Sequence, residues 1–269
     1  MWARGGPGST LPAVSRVPGS PATRPRPLRV PLEGLAPGPR ELDGAVARYV
    51  QRVHRLGPGD RLSFFDPILG VEAAATIVSA AAGRIECEVD GVHPSGYRAY
   101  PITLLQALAK GAKPDATISE ATALGVERIV FLESERAVVR LDEERGATRR
   151  VRWQRIAVEA ARQCGRGNIP TLHGPLALLD VLPQVVEPHR LLLAPGGAPL
   201  LERLSDWQAH QAVALLVGPE GGLSPAEIER AEQLGFLSAA LGPTTLRSEL
   251  AGVAALGALV AFAALRGIG

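Results

Sequence analysis

The feature that most constrains the fold is an alternation of short apolar segments with amphipathic ones after Tyr100. Helical patterns with one apolar face lie between segments that are typical of buried strands. Because strands that alternate with helices form a parallel sheet covered by helices, we predict an α/β domain here. The predicted strands are Arg128–Leu132, Leu191–Ala194, Val213–Val217 and Leu237–Leu241, and the predicted helices are Asp115–Leu124, Trp153–Cys164, Pro225–Leu234 and Glu249–Leu265.

Before Tyr100 the pattern is different. Short strand-like segments follow one another closely and are separated by turns such as Gly57-Pro58-Gly59-Asp60. This spacing predicts a small β-barrel over residues 28–98 and leaves residues 99–269 for the α/β domain. The predicted strands are Arg61–Phe65, Val71–Val78, Arg84–Val89 and Arg98–Leu104.

The two ends of the chain have contrasting compositions. Residues 1–27 contain Pro, Gly, Ser and Arg but no acid, which predicts a disordered basic tail. An RNA-touching arm and a transit peptide are the alternatives. The uncharged segment Leu250–Leu265 is shorter than the roughly 20 apolar residues of a membrane span, so we expect a buried helix and no membrane.

Charge and cysteine content exclude several classes of protein. The chain has 29 basic and 27 acidic residues, a net charge of +2, which excludes a polycation. Its two cysteines lie far apart, and its five histidines lack the spacing of metal ligands. We therefore expect no metal site and no disulfide framework, and a reducing, cytoplasmic location.

A glycine-rich loop follows the predicted strand Val213–Val217. The loop Gly218-Pro219-Glu220-Gly221-Gly222 precedes a helix whose capping box is formed by Ser224 and Glu227. Glycines let a ligand approach the backbone closely, although a tight turn alone would also explain them. The loop matches neither a Walker A motif nor a dinucleotide fingerprint.

A second loop follows the next strand and leads into the last helix. It runs from Leu241 to Glu249, with Ser248 as a predicted N-cap. Because ligands bind at the carboxyl ends of parallel strands, Arg247 and Glu249 are expected beside the first loop. A surface ion pair is the alternative for these two residues.

The two loops together resemble those of the RsmE family, the 16S ribosomal RNA uridine-N3 methyltransferases of the SPOUT class. Further segments resemble the same family over nearly the whole chain after the tail. They are Val53-His54-Arg55-Leu56, Lys110-Gly111, Leu124-Gly125-Val126, Arg152-Trp153 and Glu159–Arg166.

The resemblance implies a C-terminal domain with a trefoil knot, an N-terminal PUA-like barrel that binds RNA, and a homodimer. The implied cofactor is S-adenosylmethionine, and the implied partner is ribosomal RNA of the small ribosomal subunit. The residues implied in cofactor binding are Leu216, Gly218, Glu220, Gly221, Leu241, Gly242 and Leu246.

Arg247 and Glu249 are the expected catalytic residues. Arg247 stays protonated, so it would stabilise negative charge on the uracil oxygens. Glu249 would orient Arg247 or accept a proton. Arg152, Arg162 and Arg166 on the central helix are expected to contact RNA, with a solvated helix face as the alternative.

The chain departs from the family pattern at Glu120, where a basic residue is usual, and at Ala123, where an acid is usual. Three other functions therefore remain as alternatives: an inactive knotted RNA-binding protein, a methyltransferase for another RNA site, and an unrelated α/β enzyme with a nucleotide cofactor. Binding of S-adenosylmethionine would argue against the inactive protein and against the nucleotide-dependent enzyme.

Overall fold

The computed structural model describes residues 27–97, 99–137, 143–208 and 210–265. They form an N-terminal lobe and a C-terminal lobe, each built on a six-stranded sheet. Residues 1–26 of the predicted tail lie outside the described residues.

The N-terminal sheet has the strand order β1-β3-β4-β5-β2, with β6 paired to β4. Strands β1 and β3 are parallel, and the other pairs are antiparallel. A short helix α1, Gly44–Arg48, continues into a π-helical turn, Tyr49–Val53. The strands are β1 Leu28–Pro31, β2 Gly38–Asp43, β3 Arg61–Asp66, β4 Val71–Ala81, β5 Arg84–Val89 and β6 His93–Pro94.

Alternation of buried and exposed side chains builds this lobe. In β5 every second residue is buried, and Phe64, Ile77 and Ile85 meet in the core. Strands β3, β4 and β5 confirm the sequence prediction, whereas β1 and β2 are short, partly polar segments that it missed. No pairing between β1 and β2 closes the sheet within the described residues, so the barrel stays a prediction.

The C-terminal sheet has the order β12-β10-β11-β7-β8-β9, and all its strand pairs are parallel. The predicted α/β architecture is therefore confirmed. Its strands are β7 Tyr100–Ala107, β8 Val126–Glu133, β9 Thr171–Ala177, β10 His189–Pro199, β11 Val213–Val217 and β12 Leu237–Ala240. Its helices are α2 Lys113–Ala123, α3 Glu143–Cys164, α4 Leu178–Val181, α5 Pro225–Gln233 and α6 Ser248–Leu265, with a 3-10 turn at Leu182–Gln184.

Helices cover both faces of this sheet. Every residue of β11 is buried, as expected for a central parallel strand. On one face Leu104 and Leu215 share a core with Trp153 of α3 and Leu256 of α6. On the other face Leu216 packs in a second core that includes residues of α4 and α5.

Strand β10 lies between β11 and β12 and is interrupted by a bulge. Leu193 and Ala198 both pair with Ala239, so residues 194–197 leave the ladder. A Cβ on Gly197 would lie 2.7 Å from the backbone nitrogen of Ala239, and a side chain there would displace β12. The bulge therefore opens at the same sheet edge as the loops after β11 and β12.

Helix α6 packs one face against α2, β7 and β11. Gly252, Ala255, Leu256, Leu259 and Ala263 form its buried face, which agrees with the predicted packing helix. By length and composition alone, α6 is the one helix in the described part of the chain that could cross a membrane.

The two lobes meet through polar contacts. Arg29 of β1 donates to the Arg166 carbonyl oxygen at 3.0 Å and pairs with Glu72 at 3.3 Å. Ser95 donates to the same Glu72 carboxylate at 2.7 Å. The backbone nitrogen of Ile169 donates to the carbonyl oxygen of Pro67, so main-chain bonding crosses the junction as well.

Candidate functional site

A cleft of about 550 Å³ opens at the carboxyl ends of β10 and β11 and against the start of α6. Its volume lies within the range of small-molecule sites. The lining is largely apolar and includes two side chains of opposite charge, those of Glu220 and Arg247. The lining residues are Leu192–Pro195, Val217–Leu223, Ile228, Thr245–Ser248 and Ala251.

The glycine-rich loop is held by the helix that follows it. Ser224 and Glu227 form the predicted capping box of α5, which is confirmed. Glu227 is buried, and its second carboxylate oxygen accepts the backbone N–H of Glu135 at 2.7 Å. Gly222 has a φ of 71°, a conformation that favours glycine. The loop is thus fixed to both α5 and the segment after β8.

Arg136, in that segment after β8, adds a further tie. Its guanidinium donates to the carbonyl oxygens of Gly221 at 3.3 Å and Leu223 at 3.4 Å. Two carbonyl groups of the loop are therefore oriented from outside the cleft.

A buried chain of hydrogen bonds connects the first loop to the second. Gln106 Nε2 donates to Ser248 Oγ at 2.9 Å, and Ser248 Oγ donates to the Gly218 carbonyl oxygen at 2.6 Å. The predicted N-cap role of Ser248 is wrong. Ser248 is the first helical residue, and the carbonyl oxygen of Arg247 accepts the N–H groups of Leu250 and Ala251.

The catalytic residues predicted from sequence lie in different surroundings. Arg247 is exposed and lines the cleft, and no described residue forms an ion pair or hydrogen bond with its guanidinium. Glu249 is not part of the lining. Its Oε2 atom is buried and lies 3.3 Å from Lys113 Nζ, so the carboxylate pairs with lysine rather than with Arg247.

Lys113, the first residue of α2, also contacts the glycine-rich loop. Its Nζ donates to Glu220 Oε1 at 2.6 Å. This hydrogen bond raises the pKa of Lys113 and lowers the pKa of Glu220, so both groups are charged near neutral pH. Lys113 therefore joins three segments that are far apart in sequence.

Most of the predicted cofactor residues surround this cleft. Gly218, Glu220, Gly221 and Leu246 line it, whereas Leu241 and Gly242 line an adjoining cavity of about 80 Å³ that shares Leu193–Pro195 with the cleft. Leu216 lines neither cavity, because its side chain points into the core beneath the sheet. Val217 takes its place in the lining.

Sequence reasoning missed Lys113, Gln106 and Arg136. Gln106 is the second-last residue of β7. Lys113 follows the end of β7, and Arg136 follows the end of β8. Because ligands bind at the carboxyl ends of parallel strands, the positions of all three residues could have identified them as candidates. That identification requires the strand order, which local sequence patterns do not contain.

Two of the predicted RNA-binding arginines have partners within the protein. Arg152 is largely exposed and forms an ion pair with Asp115. Arg162 bonds Glu159 at 2.7 Å and donates to the hydroxyl of Tyr49 at 2.7 Å, which links α3 to the N-terminal lobe. Both lie along a groove of about 420 Å³ between α2 and α3.

The third arginine, Arg166, is 1% exposed. Its guanidinium donates to the Thr122 carbonyl oxygen and to Asn168 and lies over the ring of Tyr97. Burial lowers the pKa of Arg166. A phosphate cannot reach this group, so the predicted RNA contact is corrected to a structural role in the lobe junction.

Among the described residues, no group of three or more His, Cys, Asp or Glu side chains could hold a metal ion.

Comparisons with known proteins identify the family. The family model described as RNA methyltransferase domain matches residues 97–260. Ribosomal RNA small subunit methyltransferase E of Mycobacterium bovis is 33% identical over 232 residues, 81% of this chain and 84% of that protein. The Bacillus subtilis protein of the same name is 26% identical over 81% of this chain and 88% of its own length.

A solved structure agrees with these relatives. Ribosomal RNA small subunit methyltransferase E from Neisseria gonorrhoeae, bound to S-adenosyl methionine, is 29% identical and superimposes with a TM-score of 0.76. The match covers 88% of this chain and 98% of that one. The chain described here therefore belongs to the ribosomal RNA small subunit methyltransferase E family.

Proposed function

We propose that this protein uses S-adenosylmethionine to methylate N3 of a uridine in 16S ribosomal RNA. The observation that carries the proposal is the cleft between the glycine-rich loop and the start of α6. The side chains of Glu220 and Arg247 line this cleft. The structure of the relative from Neisseria gonorrhoeae contains that cofactor.

The residues of the cleft fit this cofactor. S-adenosylmethionine has an adenosine group whose base has apolar faces, a sulfonium cation, and an amino acid group that carries an ammonium and a carboxylate. The apolar walls at Leu193 and Leu246 suit the adenosine, and the carboxylate of Glu220 suits a cation. Backbone groups at Gly218 and Gly221 supply hydrogen-bonding partners without side chains that would fill the space.

The reaction replaces the proton on N3 of uridine by a methyl group. When bound, S-adenosylmethionine supplies that methyl group as its S–C bond breaks, with the electron pair left on sulfur. The N3 proton passes to a base, which leaves negative charge spread over N3 and the uracil oxygens, where a fixed cation stabilises it. The N3 electron pair then forms the new N–C bond and the charge is lost.

Arg247 is the side chain placed to supply that cation, because it lines the cleft with its guanidinium unpaired among the described residues. We assign proton acceptance to Glu249, which follows Arg247 by two residues in the first turn of α6 and is paired with Lys113. Since N3 lies on the Watson–Crick edge, the target uridine must be unpaired or flipped out of its helix.

The remaining expectations belong to the same proposal. Residues 28–98 would form a PUA-like barrel that binds RNA, residues 99–269 would form the methyltransferase domain with a trefoil knot, and residues 1–27 a disordered basic tail. Arg152 and Arg162 border a groove that suits the RNA backbone. The protein would work on small ribosomal subunits in the cytoplasm.

A homodimer is also proposed. The half of α6 that faces away from the sheet keeps small and apolar residues partly or fully exposed, among them Ala254, Gly257 and Ala261. Small residues let two helices pack closely, so a second copy would cover this face. Light scattering of the purified protein measures the mass directly, and a monomer would contradict this part of the proposal.

The central test combines calorimetry with a methylation assay. We expect wild-type protein to bind S-adenosylmethionine and to methylate 16S ribosomal RNA at a uridine N3. Arg247→Ala should lower kcat about 100-fold, because a transition-state contact is lost, while the calorimetric Kd changes less than about threefold.

Arg128→Ala is the matched control, since Arg128 is an exposed arginine on β8 away from the cleft. It should leave both quantities unchanged. Equal losses of kcat and affinity in Arg247→Ala would contradict the assigned role. A folded wild-type protein that binds no S-adenosylmethionine would overturn the enzyme proposal and favour an inactive RNA-binding relative.

A further inference from the structure

Three segments of the cleft region converge on one ammonium group. Lys113 Nζ lies 2.6 Å from Glu220 Oε1 and 3.3 Å from Glu249 Oε2. Lys113 begins α2, Glu220 belongs to the glycine-rich loop, and Glu249 lies in the first turn of α6. No local sequence motif connects these three residues.

Both carboxylates are near each other because they contact the same nitrogen. Two like charges at such a distance repel, and each favours a neighbouring cation. Lys110, just before α2, also acts on the Glu220 carboxylate, but Lys113 is the group in contact. The Oε2 atom of Glu249 is buried and accepts no hydrogen bond from the described residues, so Lys113 supplies its compensating charge.

Glu220 and Glu249 belong to the two segments that border the cleft, the glycine-rich loop and the start of α6. Glu220 is part of the cleft lining, and Glu249 follows Arg247 by two residues at the start of α6. A shift of either segment would change the distance between the cofactor loop and Arg247. Position matters here, because small displacements of reacting groups reduce the rate strongly.

We propose that Lys113 is a positioning residue for methyl transfer, which holds the glycine-rich loop and the start of α6 together by bridging Glu220 and Glu249. This inference rests on the proposed function for its effect on rate. The bridge itself is a property of the folded chain and is measurable without substrate.

The test compares Lys113→Met with Lys113→Arg in the full-length protein. Lys113→Met has similar length but no charge, so the two carboxylates repel and the segments separate. We expect kcat to fall roughly ten-fold in Lys113→Met, while Lys113→Arg keeps most of the rate because it restores the charge.

Hydrogen exchange of the backbone amides supplies a readout that needs no activity. We expect residues 218–223 and 248–252 to lose protection in Lys113→Met and to keep it in Lys113→Arg. Adding Glu249→Gln to Lys113→Met removes the repulsion and should recover much of the protection of residues 218–223. A purely structural loss of folding would not be rescued by that second substitution.

The same variant should respond to pH in a defined direction. In wild type the hydrogen bond from Lys113 lowers the pKa of Glu220, so Glu220 takes up a proton at a higher pH in Lys113→Met. The repulsion between the carboxylates then weakens as the pH falls. Protection of residues 218–223 in Lys113→Met should therefore rise towards the wild-type value as the pH is lowered.

Three outcomes would overturn the proposal. Lys113→Met with normal kcat and normal protection would make the bridge irrelevant. Normal protection with lost kcat would mean that the ammonium acts on the reactants directly. Lost protection that neither Glu249→Gln nor lower pH restores would show a general loosening of the fold.

Should Lys113→Met fail to fold, Glu220→Gln tests the bridge from its other end. It weakens the tie to the loop and leaves the Lys113–Glu249 pair, so only residues 218–223 should lose protection. If wild type shows no methylation, the proposed function fails, whereas the hydrogen-exchange results still decide whether Lys113 joins the two segments.

Discussion

At the scale of single residues, the cleft depends on one buried hydroxyl group, that of Ser248. Ser248 Oγ receives a hydrogen bond from Gln106 and donates one to the Gly218 carbonyl oxygen. Ser248 is 6% exposed, so water cannot replace either bond freely. One side chain thereby sets the position of the first glycine of the loop.

Ser248→Ala should therefore lower the free energy of unfolding by about 1–3 kcal/mol, because a buried donor and a buried acceptor lose their partner. Denaturant unfolding measures this loss. Ser248→Thr is the matched control, since it keeps the hydroxyl, and its stability should stay closer to wild type. Equal effects of the two variants would show that the hydroxyl contributes nothing.

Residues also show where sequence reasoning reaches its limit. The predicted neighbourhood of Arg247 and the glycine-rich loop is right, because both follow strands whose carboxyl ends share one sheet edge. Lys113 was missed and Arg166 was misassigned. A lysine or an arginine looks the same in sequence whether it is solvated, bridging or buried, and only long-range packing separates these cases.

At the scale of elements, boundaries with local chemical causes were predictable. Helix α5 begins after the capping box of Ser224, and β11 coincides with an unbroken apolar segment. Strands β1 and β2 lack such signals, because their stability comes from pairing with β3 and β5. The bulge of β10 is likewise defined by its contact with β12 and not by its own sequence.

Helix α6 offers a direct test of packing, since it contains two glycines in different surroundings. A Cβ on Gly252 would lie 2.8 Å from Gln106 Oε1 and 3.1 Å from Leu104 Cδ1. A Cβ on Gly257 meets nothing within 4 Å. We expect Gly252→Ala to destabilise the protein by about 1–3 kcal/mol through overpacking.

Gly257→Ala is its control and should stabilise the isolated chain by up to about 1 kcal/mol, because alanine favours the helix. Thermal unfolding of the two variants, side by side, measures both effects. A loss of stability in Gly257→Ala that depends on protein concentration would instead place Gly257 in the proposed dimer interface. Equal changes of the unfolding temperature in Gly252→Ala and Gly257→Ala would contradict the packing described for Gly252.

At the scale of the whole molecule, the lobes are joined by a buried arginine. Arg166 connects the end of α3 to Thr122 at the end of α2 and to Tyr97 at the end of the N-terminal lobe. The lobe orientation thus depends on hydrogen bonds inside the protein. Arg162, in the last turn of α3, adds a second link through Tyr49.

Arg166→Ala should therefore cost about 2–4 kcal/mol of unfolding free energy, since it leaves buried acceptors unpaired and removes the packing over Tyr97. Arg152→Ala, in α3, is the control. Its exposed ion pair with Asp115 is worth about 1 kcal/mol or less. If Arg166→Ala instead kept full stability and weakened RNA binding, the structural role would be wrong.

The strand order also governs how the chain can be made. Strand β7 lies in the middle of its sheet, yet its partner β11 follows about 110 residues later, with Ile102 opposite Val213. During synthesis at about 5–20 residues per second, one edge of this apolar strand waits for roughly 5 to 20 seconds. An unpaired strand edge can capture another chain. The strand that lies at the centre of the finished sheet is thus, in the newborn protein, an edge open to aggregation during that interval.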